Sequence, residues 1–307
     1  MKKDLLSIYD LDNPDIDRIF THAARLKERL KKGDIYHPLP GKTLGMIFDK
    51  PSTRTRISFE VGMYQLGGLA IFLSSRDMQL GRGETVADTA RITSRYLSGI
   101  MIRTYDQKMV EEFAAHATVP VINGLTDLLH PCQILSDIFT IKEIKGGYQG
   151  LKIAYIGDGN NIANSWINAA VRLPLYLSLA CPEGYEPDKS VFERGRNEAP
   201  GRVALYRDPF AAAAEADVIY TDVWTSMGQE KEREARNAVF GPYQVNKELL
   251  SHARKDAIVM HCLPAHRGEE ITGEVIDGKH SVILDQAENR LHVQKAILEI
   301  LLKDGGY

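Results

Sequence analysis

The chain has 307 residues, 44% of them hydrophobic and 26% charged, with a formal net charge of −3 from 38 basic and 41 acidic side chains. That length suggests about two domains, each able to bury its own core. The near-balanced charge excludes the basic patterning of a nucleic-acid or polyanion binder.

The three cysteines, Cys132, Cys181 and Cys262, offer neither a disulfide framework nor a zinc spacing, so a reducing, cytoplasmic home is expected. Met1 to Ile8 holds two lysines but no apolar core of signal-peptide length. The longest apolar-looking run, Leu173 to Cys181, is interrupted by Pro174 and Ser178 and is too short to span a bilayer. No membrane or nucleic-acid partner is expected.

In chain order, residues 15–31 read as an amphipathic helix with Ile16, Ile19, Phe20, Ala23 and Leu26 on one face, started near Asn13-Pro14. The apolar run Thr43 to Phe48 reads as a buried strand. A helix entered at Ser52 follows, with Ile57, Val61 and Tyr64 as its apolar stripe and Gly67-Gly68 at its end. Leu69 to Leu73 is a strand, Ser74 to Gly83 a polar loop, 84–97 a helix, Ile100 to Arg103 a strand, 107–116 a helix and Val119 to Ile122 a strand. Residues 130–145 read as a helix bridging two domains, closed by Gly146-Gly147.

A second series then begins, with strands at Lys152–Ile156, Leu175–Leu179, Val203–Tyr206, Val218–Thr221 and Ile258–Met260. Helices fall near 162–172, 188–196, 210–215, 231–238 and 244–253, and a long amphipathic helix occupies about 287–303. Alternating strands and helices indicate an α/β fold of two domains, each a parallel sheet flanked by helices, joined by interdomain helices. Open parallel sheets take ligands beyond the carboxyl ends of their strands, so polar residues at strand ends carry the functional argument.

The first such place is Lys50-Pro51-Ser52-Thr53-Arg54-Thr55-Arg56, a strand-to-helix turn rich in hydroxyls and arginines. Free backbone N–H groups and the dipole at a helix N-terminus favour an anion. Ser52 is a good N-cap, and Arg54 can hold a phosphate bidentately. Arg56 lies about 200° around the helix from Arg54 and can pair with Glu60 instead. Read plainly, the stretch is equally a well-capped helix with solvated arginines.

Arg103 ends a strand, where a lone arginine also serves as a loop cap. In His130-Pro131-Cys132-Gln133, Pro131 suits a first helical turn and puts His130 at the mouth with Gln133 one turn on. A positive helix end disfavours imidazolium, so a neutral His130 could donate to a carbonyl oxygen while Gln133 accepts from an NH2 group. That pair fits a carbamoyl group, and a satisfied N-terminal histidine is the plain alternative.

Gly157-Asp158-Gly159-Asn160-Asn161-Ile162 opens like a dinucleotide fingerprint, but Ile162 replaces the third glycine and no clear acidic residue ends the next strand. Side-chain amides there can hold the charged end of an amino acid. For Asn160 and Asn164, turn-capping is an equal reading. Asp222, at a strand end before the Ser226-Met227-Gly228 loop, can bind an ammonium group. His261 and Cys262 as joint metal ligands are rejected, since adjacent strand residues face opposite sides.

Taken together, the Ser52–Arg56 stretch resembles the carbamoyl-phosphate signature of the aspartate and ornithine carbamoyltransferases, and His130-Pro131-Cys132-Gln133 has the family's His-Pro-x-Gln form. Within the family, Asp222-Val223-Trp224-Thr225-Ser226-Met227-Gly228-Gln229-Glu230 resembles the ornithine-binding loop of the ornithine members. Met260-His261-Cys262-Leu263-Pro264 and Ala287-Glu288-Asn289-Arg290-Leu291 resemble two further segments, so the likeness runs in order through essentially the whole chain.

The resemblance implies a carbamoyl-phosphate domain over residues 1–145, with a C-terminal helix 290–307 packing back on it, and an ornithine domain over 146–289. It implies carbamoyl transfer from carbamoyl phosphate to the δ-amine of L-ornithine, giving L-citrulline and phosphate in arginine metabolism, with no metal or cofactor. Ser52, Thr53, Arg54 and Thr55 would hold phosphate with Arg290. Thr55, Arg103 and His130 would polarise the carbonyl, while Gln133 and the Leu263 carbonyl orient the NH2 group. Asn161, Asp222, Ser226 and Met227 would bind the amino-acid end of ornithine. Cys262, coupled to Asp222, would hold or deprotonate the δ-amine. It further implies a homotrimer in which Gln79 reaches a neighbouring subunit's site, and closure of a cleft with the Ser226–Gly228 loop as lid.

Overall fold

The computed structural model describes residues 2–78, 83–225 and 230–304. The chain divides into two compact units, Met1–Phe139 with Asn289–Tyr307, and Thr140–Glu288. Among the described residues, no helix is long and apolar enough to cross a membrane.

In the first unit, α1 (Asn13–Lys32) starts at the expected Asn13-Pro14 signal, two residues ahead of the helix read over 15–31, because Asp12 is the cap and accepts from the Asp15 N–H at 2.8 Å. The parallel strands β1 (Thr43–Phe48), β2 (Leu69–Ser74), β3 (Gly99–Arg103) and β4 (Val121–Leu125) lie in the order β2-β1-β3-β4. From β1 the chain steps one way to β2, then to the other side for β3. Open sheets of this kind bind ligands at such a reversal point, beyond the strands' carboxyl ends. Register places Phe48 of β1 beside Arg103 of β3, and the Asp49 N–H donates to the Arg103 carbonyl at 2.9 Å.

Helix α2 (Thr53–Gln65) follows β1, α3 (Val86–Thr93) precedes β3, and α4 (Gln107–His116) precedes β4. A core of Ile47, Ile100, Ile102, Val110, Phe113 and Val121 fills the sheet's α3–α4 face. Two expectations need correction. The Ile57, Val61 and Tyr64 stripe of α2 does not face this core: Ile57 and Tyr64 are exposed, and Phe59, Gly62 and Met63 are buried instead. Strand β4 starts at Val121 rather than Val119, because Pro120 has no N–H for the ladder. Its extension to Leu125 is supported by Leu5, whose carbonyl accepts from the Asn123 N–H at 2.8 Å.

Helix α5 (Pro131–Lys145) carries the chain across the boundary between the units, and α12 (Ile283–Asp304) carries it back. In the second unit, the parallel strands β5 (Lys152–Ile156), β6 (Tyr176–Ala180), β7 (Val203–Tyr206), β8 (Val218–Thr221) and β9 (Ile258–His261) lie in the order β7-β6-β5-β8-β9. The reversal falls between β5 and β8. Register aligns Ile156 with Thr221, and Thr221 with His261. The next residues, Gly157, Asp222 and Cys262, therefore leave the sheet at one level.

Helices α6 (Asn161–Arg172), α7 (Lys189–Glu198), α8 (Pro209–Ala213), α9 (Arg233–Phe240), α10 (Lys247–Ser251) and α11 (Gly273–Ile276) complete this unit. Helix α10 starts three residues later than expected, where Asn246 caps it by accepting from the Leu249 N–H at 3.0 Å. Gly159 is required by packing: a Cβ there would lie 2.2 Å from the Glu186–Pro187 backbone. That close approach accounts for the fingerprint-like glycine without a dinucleotide.

Candidate active site

In the first unit, the mouth of α2 forms as its local sequence dictates. Ser52 is extended and its hydroxyl accepts from the Thr55 N–H at 3.2 Å, leaving Thr53, Arg54 and Thr55 on the first turn. Thr55 is buried, and its Oγ1 accepts from Arg290 Nη2 at 2.9 Å. Arg290, on α12, thus reaches the phosphate-type turn from 235 positions away in the chain. Arg56 turns elsewhere, with Nε donating to Glu60 Oε1 at 2.9 Å and the guanidinium 4.0 Å from the Phe72 ring centroid.

His130 stands at the mouth of α5, 4% exposed. Burial pushes its pKa well below the usual histidine range, and the charges of Arg290, Arg103 and Arg54 push the same way. The expected neutrality holds, with a different cause: desolvation and three guanidiniums lead, not the helix end alone. Gln133 is oriented by Asp137, whose Oδ1 accepts from Nε2 at 2.8 Å. That leaves Gln133 Oε1 as a buried acceptor with no partner. Cys132 is fully buried, and burial raises its thiol to about 12, so it is inert. Lys50, passed over in the sequence, is buried against Asp127 and 4.1 Å from the Tyr105 ring centroid. Gln79 lies outside the described residues.

In the second unit, Asp222 is the hub. Its Oδ2 accepts from Asn160 Nδ2 at 2.8 Å, and its Oδ1 accepts from the Val223 N–H at 2.8 Å and from the Cys262 thiol at 2.9 Å. Asn160 Oδ1 meanwhile caps α6, accepting from the Ile162 N–H at 2.9 Å and from the Tyr155 hydroxyl at 3.1 Å. Asn160 therefore both caps a helix and positions a carboxylate. Asn164 Oδ1 accepts from the Asp188 N–H at 3.0 Å, tying α6 to the segment that leads into α7. Asn161 opens α6 beside them, half-buried.

Sequence reading missed Arg236. It is buried, donates to Asp158 and to the Trp224 carbonyl, and lies 4.8 and 5.1 Å from the Tyr185 and Phe240 ring centroids. Burial raises the Asp158 carboxyl to about 6 despite that partner. Arg236 holds the chain just before Ser226 and Met227, which lie outside the described residues. No local motif marks this arginine; its contacts with Trp224 and Asp158, 12 and 78 positions away, do so.

Strand alternation does not keep His261 and Cys262 apart, contrary to expectation. Strand β9 ends at His261 and the chain turns at once, with Leu263 at φ 59°, so side-chain alternation stops. Ligand atoms of Asp222, His261 and Cys262 fall within 4.8 Å of one another. Yet His261 Nδ1 accepts from the Leu263 N–H at 2.8 Å, and Nε2 faces Glu270 Oε1 at 3.0 Å. Both ring nitrogens are engaged, and the imidazole braces the turn carrying Cys262 and Leu263.

Residues 3–143 match the carbamoyl-P binding domain of aspartate/ornithine carbamoyltransferase, and residues 149–301 match its Asp/Orn binding domain. The chain belongs to the aspartate/ornithine carbamoyltransferase family. An ornithine carbamoyltransferase from Syntrophus aciditrophicus is 72% identical over 98% of this chain and 100% of that protein. One from Pelobacter propionicus is 56% identical over 98% and 99%. Among solved structures, the Pyrococcus furiosus ornithine carbamoyltransferase matches with a TM-score of 0.95 at 54% identity, covering 98% of this chain and 97% of that one. The Burkholderia thailandensis ornithine carbamoyltransferase matches with a TM-score of 0.90 at 46% identity, covering 98% and 99%. Within this family, strand-end groups of the two units fall to the two domain descriptions in turn.

Proposed function

We infer that the chain transfers the carbamoyl group of carbamoyl phosphate to the δ-amine of L-ornithine, yielding L-citrulline and phosphate in arginine metabolism. The observation that carries the choice of acceptor is Asp222, held by Asn160 and the Val223 N–H with the Cys262 thiol upon it. A positioned carboxylate suits an ammonium group and repels a second carboxylate, as an aspartate acceptor would require.

In this reading, Ser52, Thr53, Arg54 and Thr55 grip the phosphate with Arg290. Arg103, Thr55 and neutral His130 stabilise charge growing on the carbonyl oxygen. Gln133 Oε1 and the Leu263 carbonyl accept from the carbamoyl NH2. Asn161, Asp222, Ser226 and Met227 take the amino-acid end of ornithine, and Cys262, through Asp222, steadies the attacking amine. The amine attacks the carbamoyl carbon, the C–O bond to phosphate breaks, and the leaving phosphate can take up the amine's proton. Fixed donors and positioning supply the rate.

The same reading places the protein in the cytoplasm as a homotrimer, with Gln79 reaching a neighbouring copy. Support for self-association comes from the first unit's edge strand β2, where Leu69, Ile71 and Phe72 are exposed. Exposed apolar residues on an edge strand invite association unless something covers them.

A sister carbamoyltransferase acting on putrescine or an acylated ornithine is the nearest rival, and one assay separates them. Citrulline-type product is measured from carbamoyl phosphate with ornithine, putrescine, acetylornithine and aspartate in turn. Ornithine is expected to be used at least about a hundredfold better, matching loss of one buried charged contact. Equal or better use of any other acceptor would overturn the assignment.

A further inference from the structure

Beyond β9, the turn His266-Arg267-Gly268-Glu269-Glu270-Ile271 folds back on itself. The Glu269 N–H donates to the His266 carbonyl at 2.9 Å, the Gly268 N–H to the Ile271 carbonyl at 2.9 Å, and Gly268 takes φ 89°. This brings His266 Nδ1 to 3.9 Å from Glu269 Oε2 and 3.8 Å from Glu270 Oε2. Those separations are too long for hydrogen bonds. All three atoms are buried, and none has a hydrogen-bond partner.

Glu270 makes the cluster more than an acidic surface patch. The whole residue is buried, at 0% exposure. Its Oε1 is fully used, accepting from the His266 N–H at 2.6 Å and facing His261 Nε2 at 3.0 Å. That fixes the carboxylate plane and aims Oε2 at the other two atoms. Glu269 is held likewise, its Oε1 paired with Arg233 while Oε2 turns inward. A buried carboxylate oxygen without a donor is costly, so two such oxygens converging with an unpartnered imidazole nitrogen suit a cation.

We propose that His266 Nδ1, Glu269 Oε2 and Glu270 Oε2 form a binding site for a divalent first-row transition ion such as Zn2+. One imidazole nitrogen and two carboxylate oxygens are a borderline donor set, suited to zinc or cobalt. The ligand atoms lie within 4.8 Å of one another, so closing on bonds of about 2.0–2.2 Å takes only small side-chain movements. Water would complete the shell. Glu270 also touches His261, so the ion would stiffen the turn that follows Cys262 and Leu263. This role is separate from carbamoyl transfer, and its test does not depend on that activity.

The test uses the full chain stripped with chelator and titrated with Zn2+ by calorimetry and with Co2+ by absorption. One ion per chain is expected, with a melting temperature that rises with metal concentration. The Co2+ spectrum should lack the near-ultraviolet thiolate charge-transfer band. His266→Ala and Glu269→Gln, whose side chains are partly exposed and whose folds are checked by circular dichroism, should each weaken binding at least about tenfold. No binding to the unaltered chain would overturn the proposal. So would binding that both variants retain, or binding that shows the thiolate band and is lost in Cys262→Ser, which would place the ion at Asp222 and Cys262.

Discussion

His130 shows how one side chain's state is set by what surrounds it. Its pKa is held well below the usual value, first by burial, then by Arg290, Arg103 and Arg54. In the unfolded chain the imidazole titrates near 6.5. As pH falls below about 6.5, the unfolded state takes up a proton that the folded state refuses, and stability declines. One group accounts for at most about 1.4 kcal/mol per pH unit. Urea unfolding at pH 7, 6 and 5 should therefore show a shallower acid loss in His130→Asn than in the unaltered chain. Parallel curves would mean that His130 is not held neutral. The two arginines of the α2 mouth make a related point. Their divergence follows from helical geometry alone, and the structure adds that Arg56 spends itself on Glu60 and Phe72.

Single elements carry double duties that their sequences show only in half. The N-terminus of α6 is legible as a cap at Asn160, because capping is settled within three residues. The other half, the 2.8 Å bond from Asn160 Nδ2 to Asp222, spans 62 positions and exists only because β5 and β8 are paired in register. Asn160→Asp separates the two duties. A carboxylate keeps the capping acceptor, but it replaces the donor to Asp222 with a like charge, so the melting temperature should fall although the cap is retained. The KM for ornithine should rise at least about tenfold, with a smaller effect on the KM for carbamoyl phosphate. An equal rise in both would argue against Asn160 as a positioning residue. Helix α2 teaches the reverse lesson. Its apolar stripe at Ile57, Val61 and Tyr64 has the right period, yet Phe59, Gly62 and Met63 are the buried set. Period says that a helix is amphipathic; it does not say which neighbour covers a second apolar face.

For the molecule as a whole, both units obey one rule: polar groups gather beyond the carboxyl ends of parallel strands, where the strand order reverses. Helix α12 is part of the first unit's core, although it is last in the chain. A Cβ on Gly99 would meet Leu302 at 2.4 Å, and one on Gly62 would meet Lys295 at 3.3 Å. The exposed apolar residues of β2 belong to this scale too. If a second copy covers them, Leu69→Glu with Ile71→Glu should lower the mass measured by light scattering to that of a single chain. An unchanged mass would remove β2 from the interface.

By itself the sequence determined the α/β alternation, the strands Thr43–Phe48, Lys152–Ile156, Val203–Tyr206 and Val218–Thr221 to the residue, the Ser52 cap, and the family. Each rests on short-range rules or on contiguous motifs, in which a few neighbouring residues specify backbone shape. The family resemblance already grouped Thr55 with Arg290 and Cys262 with Asp222, but tertiary structure alone supplied the contacts themselves and the pairing of Arg236 with Asp158. Arg290 on Thr55, Cys262 on Asp222, and Arg236 on Asp158 are separated by 235, 40 and 78 positions. No local pattern encodes such pairs, because strand register and side-chain direction bring them together only after the sheets have formed. The same reason hid Glu270: its neighbours in sequence suggest a polar turn, while its complete burial and its open oxygen exist only in the folded chain.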